Sequence, residues 1–194
     1  MAIQSDKWII EQCESAHMIR PFSREQVRMV EHSDGLTKGV LSFGVSSYGY
    51  DMRLGHHFRV LRINHQSVMD PKNIDPDLFE TFDADDYLIL PPHGLALGQT
   101  IEYFKIPRDI LTICIGKSTY ARCGVFVNVT PFEPEWEGFA TIAISNLGPT
   151  PVRLYAGEGI AQLIFLQADE VCAVSYQDKK GKYQTQTAIT TAKV

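Results

Sequence analysis

Leu111-Thr112-Ile113-Cys114-Ile115-Gly116-Lys117-Ser118-Thr119-Tyr120-Ala121-Arg122-Cys123-Gly124-Val125-Phe126-Val127-Asn128-Val129 sets the architecture in one stretch. An apolar, β-branched run over 111–115 meets Gly116, a short helix is expected over 118–123, and a second strand follows over 125–129. Outward from here the same texture repeats. Short alternating or β-branched runs lie at 58–61, 87–90, 96–103, 139–145, 152–154 and 161–166, separated by Gly, Pro, Asn or Asp clusters. That spacing predicts a sandwich or barrel beginning near residue 38. Before it, Trp8, Ile9, Cys13 and Met18 or Ile19 recur at helical spacing, predicting a helix within 5–20 capped by Ser5 or Asp6. Residues 70–86 read as a loop with one helical turn. The expectation is mainly β, one domain over 1–194, with short helices.

With 194 residues, 44% of them hydrophobic, the chain is long enough to bury a sizeable core. A formal charge of −5 argues against a non-specific nucleic-acid binder, yet leaves room for an anionic small ligand. No apolar run approaches the roughly 18 residues a membrane span needs, and the first residues lack a signal-peptide pattern. Cys13, Cys114, Cys123 and Cys172 fall at no disulfide or CxxC spacing and are expected to be buried, reduced thiols of a cytoplasmic protein.

Four groups of residues carry candidate chemistry. Lys117, Ser118 and Thr119 open the short helix, and Arg122 follows Ser118 by one turn, placing cation and hydroxyls on one face. Simple capping by Ser118 accounts for the same letters. Val129-Thr130-Pro131-Phe132-Glu133-Pro134-Glu135-Trp136-Glu137-Gly138 is held extended by two prolines. It suits either contact with a sugar and base or a charged turn anchored by Trp136. The strand Phe139 to Asn146 turns Ala140, Ile142 and Ile144 to one side, and Thr141, Ala143 and Ser145 to a small, polar side fit for a pocket wall. Tyr176, Lys182, Tyr183 and Gln186 lie in a polar terminus that reads as a lid or a solvated tail. Zinc deaminases need H-x-E with P-C-x-x-C; none of His17, His32, His56, His57, His65 and His93 is followed two residues later by Glu, so no zinc is expected.

These stretches, together with Lys7-Trp8-Ile9, Ser46 to Arg53, Asp70 to Asn73, Thr100 to Arg108 and Ala156 to Leu163, resemble the dCTP deaminase family, related in fold to trimeric dUTPases. The resemblance implies a distorted jelly-roll, dUTPase-like β-barrel assembled as a homotrimer with sites between subunits. It implies dCTP as substrate, dUTP as product, dTTP as a possible inhibitor, and Mg²⁺ carried on the triphosphate. Ser118, Thr119 and Arg122 are implied in contact with phosphate or the reaction centre, Ser118 and Arg122 as catalytic groups, and Lys117 joins Thr119 among the substrate-binding residues. Val129, Thr130 and Pro131 would present backbone to the pyrimidine, Glu133 would hold the deoxyribose hydroxyl beside Trp136, and Gln162 joins the substrate set. Tyr176, Lys182, Tyr183 and Gln186 would close as a lid made by the last 15 or so residues.

The family's general-base glutamate falls at position 143, where this chain has Ala143. Thr185 and Ala188 stand where the family usually has glycine. Three readings follow: a dCTP deaminase impaired at its base, a dUTPase-like pyrophosphatase, or a non-catalytic nucleotide-binding or regulatory homologue.

Overall fold

Residues 1–31, 35–62 and 68–193 are described by a computed structural model, leaving His32 and His65 outside the described residues. In chain order the elements are β1 (Ala2–Ile3), α1 (Asp6–Ala16), β2 (Ile19–Arg20), β3 (Val27–Glu31), β4 (Thr37–Ser46) and β5 (Gly49–Leu61). After a single 3₁₀ turn at Pro76–Leu78 come β6 (Phe79–Asp83), β7 (Tyr87–Leu90), β8 (Leu95–Lys105) and β9 (Ile110–Gly116). Then follow α2 (Ser118–Arg122), β10 (Val125–Asn128), β11 (Glu137–Asn146), β12 (Val152–Tyr155) and β13 (Gly159–Gln167).

The principal sheet has 11 strands, with β1-β13-β5-β8-β11-β10 as its main path, while β7 and β12 form a two-stranded ladder. Its curl originates in β5, which pairs with β13 through Tyr50–Arg53 and with β8 and β6 further along. A 13-residue strand that leaves one ladder for another must bend, and its register to β8 shifts between Leu54 and Phe58. The concave side holds the core, where Tyr50, Met52, Leu54, Phe58, Phe104, Ile142, Ile144, Leu163 and Phe165 are fully buried. Complete removal of side chains this size from water contributes about 1.5–3 kcal/mol each.

The expected strands at 87–90, 96–103, 111–115, 125–129, 139–145, 152–154 and 161–166 are all present. The expected helix over 5–20 ends at Ala16, because His17 adopts a left-handed φ of 55° and Ile19–Arg20 pairs with Phe104 and Tyr103 of β8. Ser5 occupies the N-cap without a side-chain cap bond. The 70–86 stretch contains β6 as well as its helical turn. Of the cysteines only Cys13 is buried; Cys123 is exposed, Cys114 and Cys172 are half-buried, and all four are free.

Two charged clusters hold the curled sheet. Glu102, fully buried, accepts from Arg53 Nε at 2.7 Å and Arg53 N at 2.9 Å. Asp51, 3% exposed, accepts from Lys117 Nζ at 2.6 Å, Gln26 at 3.0 Å and Gln162 at 3.2 Å. Buried carboxylates persist only with such partners.

Candidate active site

β11 alternates as its sequence predicts. Ala140, Ile142 and Ile144 are buried, whereas Thr141, Ala143 and Ser145 are half-buried on the other side. Ala140, Thr141 and Ala143 line a cavity of about 920 Å³, large enough for a nucleotide-sized ligand.

The second wall is the loop after β10. Val129, Thr130, Pro131 and Glu133 line the cavity, and Phe132 pins their backbone. Phe132 N donates to Thr112 Oγ1 at 2.8 Å, and its ring lies 4.4 Å from that of Trp136, near parallel. Trp136 is 6% exposed, and its Nε1 donates to the Tyr183 carbonyl at 2.9 Å. Trp136 lines the cavity too, so it both anchors the loop, with Phe132 stacked on one ring face, and contributes to the wall.

The third wall is the polar terminus, which packs against β11. Thr185 N donates to Glu137 O at 2.8 Å, and Phe139 N to Gln186 O at 2.9 Å, making a parallel bridge at Gly138. A Cβ at Gly138 would fall 2.7 Å from Gln186 N, and its φ of 149° suits glycine, so no other residue fits this approach. Gln186 Nε2 donates to Thr141 Oγ1, which also accepts from Thr190 N at 3.1 Å. Tyr183 N donates to Tyr176 Oη at 3.1 Å, and Lys182 Nζ lies 5.4 Å over the Tyr183 ring and bonds the Lys193 carbonyl. Tyr176, Lys182, Tyr183 and Gln186 therefore all line the cavity.

Among the described residues, Glu133 is the one carboxylate and Lys182 the one cation lining the cavity. Glu133 is held by Lys179 Nζ at 2.6 Å, which raises the lysine's pKa. Ala143 offers no proton acceptor. No group of three His, Cys, Asp or Glu that could hold a metal ion occurs among the described residues.

The remaining expected residues lie elsewhere on this chain. Ser118, Thr119 and Arg122 are exposed on α2, outside the cavity lining. Lys117 and Gln162 are engaged in the Asp51 cluster, with Lys117 Nζ also 3.2 Å from Ser42 Oγ and Gln162 Nε2 2.9 Å from Ser46 Oγ. Leu111, Asn128, Thr190 and Thr191 also line the cavity; sequence reasoning did not single them out. Strand alternation with Ala143 does mark Thr141, whereas Thr190 and Thr191 carry no such signal.

The fold and the cavity together define the class. The structure shares the jelly-roll, dUTPase-like fold of a 2′-deoxycytidine 5′-triphosphate deaminase from Agrobacterium tumefaciens, with a TM-score of 0.57 at 15% identity. That likeness covers 84% of this chain and 47% of the other. Residues 3–168 match the family described as dCTP deaminase-like, and the chain belongs to that family. It is 54% identical over 193 residues to a dCTP deaminase of Acidovorax sp. (strain JS42), covering 100% of both chains. It is 51% identical over 193 residues to one from Neisseria gonorrhoeae, with the same coverage.

Proposed function

We propose that this chain is a dCTP deaminase, built for hydrolytic deamination of dCTP to dUTP and ammonia in deoxynucleotide synthesis, and impaired at its general-base step by Ala143. The observation that carries this reading is the cavity itself. The pinned backbone at 129–131, Glu133, the Ala143 face of β11 and the tail side chains Tyr176, Lys182, Tyr183 and Gln186 meet around one space. Backbone amides and carbonyls on a rigid loop suit the hydrogen-bonding edge of a pyrimidine. Glu133 suits a sugar hydroxyl, and Lys182 with Tyr176 suits phosphate oxygens.

In the reaction, water adds across the N3=C4 bond of the cytosine, its hydroxyl to C4 and one proton to N3. The C4–N bond then breaks, the amine leaves as ammonia with the proton of the C4 hydroxyl, and C4 becomes the carbonyl of dUTP. A carboxylate at 143 would carry both protons, the first from the attacking water to N3 and the second from the C4 hydroxyl to the leaving amine. Such a group contributes about 10²–10⁴-fold, so this chain should bind dCTP and turn it over slowly. Mg²⁺ would arrive on the triphosphate, because the cavity offers one carboxylate, one amine and neutral donors, a set suited to phosphate oxygens. The same cavity would admit dTTP as a competitor. The four free thiols suit a reducing compartment, the cytoplasm.

We further propose that copies of this chain assemble as a homotrimer that completes the site. Leu111, Ile113 and Ile115 form an exposed apolar stripe along β9, and Phe126 of β10 is exposed as well. The stripe begins at Leu111 on the cavity rim and runs toward α2. A neighbour packed there would bring Ser118, Thr119 and Arg122 toward a cavity that its own chain does not reach. Sedimentation of three chains per particle supports this, and a monomer overturns it.

The test of function is product analysis with dCTP and Mg²⁺, and separately dUTP and Mg²⁺, for this chain and its Ala143→Glu variant. Conversion of dCTP to dUTP by the variant, at least about a hundredfold faster than by the parent, is the expected result. Failure of both to deaminate overturns the reading; dUMP from dUTP would then indicate pyrophosphatase chemistry, and no product a binding protein.

A further inference from the structure

The cavity's tail wall begins at a cluster outside the lining. Arg108, in the turn between β8 and β9, donates through Nη1 to Glu135 Oε2 at 2.6 Å and through Nη2 to Asp178 Oδ2 at 2.7 Å. The same guanidinium reaches the Ala173 carbonyl at 3.3 Å, and the Cys172 carbonyl and Ser175 Oγ at 3.5 Å. Glu135 sits in the cavity loop, at a left-handed φ of 62°. Asp178 closes the turn where the tail leaves the barrel: its Oδ2 accepts from Ser175 N at 3.0 Å, and its N donates to Ser175 Oγ at 3.1 Å. The next links on each side belong to the cavity, since Tyr176 N donates to Pro134 O at 2.9 Å and Gln184 Nε2 to Glu135 O at 2.9 Å.

We propose that Arg108 is a positioning residue for nucleotide binding, a latch that joins the cavity loop to the root of the tail and so sets where Tyr176, Lys182, Tyr183 and Gln186 stand. The inference rests on the nucleotide reading above for its ligand, while the latch itself is a property of the free chain. Three features support it. Arg108 is not among the cavity-lining residues, so it acts through others. Without it, Glu135 and Asp178 would be two like charges around one point, and they would repel. A planar guanidinium can serve both carboxylates and three further oxygens at once, which a lysine amine cannot. Beyond this cluster the tail is held to the cavity loop by Lys179–Glu133, Trp136 Nε1–Tyr183 O and Gln184 Nε2–Glu135 O. It is held to β11 by backbone bonds and Thr141, so Arg108 sets where that run of contacts begins. A triphosphate would add negative charge beside that start and make the cation more necessary.

The experiment compares the parent, Arg108→Ala, Arg108→Lys and Asp178→Asn, each as the full chain. Lys-C cleavage after Lys179, Lys180 and Lys182, read by mass spectrometry without nucleotide, reports the tail. Equilibrium binding of dCTP with Mg²⁺ reports the site, and thermal melting reports the barrel. Arg108→Ala should speed tail cleavage and weaken dCTP binding, each on the order of tenfold, with the melting temperature nearly unchanged and Arg108→Lys in between. Asp178→Asn, which keeps the cation and one carboxylate, should show the smaller loss. Tail cleavage unchanged in both Arg108 variants overturns the latch, as does cleavage that rises everywhere in step with lost melting temperature. A parent that binds no dCTP overturns the nucleotide reading instead, and tail cleavage still decides the latch.

Discussion

Thr185 shows how far a single residue can be read. The sequence resemblance marks it as a position where glycine is usual, and the structure puts its backbone at φ 54°, a region costly for a β-branched side chain. Thr185 is kept there by its N–H bond to Glu137 O and by the neighbouring Gly138–Gln186 bridge. Thr185→Gly should therefore stabilise the docked tail, by roughly 0.5–1 kcal/mol after the added freedom of the unfolded glycine is subtracted. Slower Lys-C cleavage after Lys182 and tighter dCTP binding are expected; faster cleavage would contradict the strain. Ala143 was equally legible, since counting along one strand places it. Arg108, Glu135 and Asp178 were not, because their chemistry exists only when three loops separated by 27 and 70 positions meet.

At the scale of elements, strands with one wet and one dry side announced themselves, β11 most clearly. β4 and β5 did not. Ser46 to Arg53 alternates poorly because Asp51 and Arg53 lie within the barrel wall, each with an ion partner that a linear reading does not supply. β2 and β3 are short or half-exposed, so their pairing comes from neighbours rather than from their own letters. The Glu102–Arg53 pair gives a test. Arg53→Met leaves a fully buried carboxylate without its cation and should cost about 3–5 kcal/mol in urea unfolding at neutral pH. Burial pushes the Glu102 pKa up against the pull of Arg53. With Arg53 gone, Glu102 should protonate more readily, and the variant's deficit should shrink as pH falls. A deficit that stays constant down to pH 4 would show that Glu102 is not the group responsible.

For the whole molecule, burial dominates the titration. It pushes the Cys13 thiol up to about 12 and raises the Tyr50 and Tyr120 hydroxyls above their ordinary range. Raised pKa values keep these groups protonated in the folded chain after they ionise in the unfolded one. Their stabilising share is thus complete below the ordinary thiol value near 8.5 and is lost as pH rises through the ordinary tyrosine value near 10 and beyond. Urea midpoints should hold from pH 7 to 8.5 and fall steadily above it. Cys13→Ala should lessen the earliest part of that fall, with Cys114, pushed up to about 12 by burial as well, keeping the remainder. A flat profile to pH 11 would refute the assignment. At this scale the class of fold was readable from strand spacing, but strand order was not, because partners such as Ala2 and Gln167 lie at opposite ends of the chain.

The position of β13 has a consequence for synthesis. It holds β1, β5 and β9 together, pairing with residues 2–3, 50–53 and 110–116, yet it is made only after all of them. While the chain grows from its N-terminus, those three strands have no shared partner, and their unpaired edges and apolar faces stay open to other nascent chains. The barrel can close only once residues 159–167 have emerged from the ribosome. Chains stalled before that point should be the ones that chaperones hold and proteases remove.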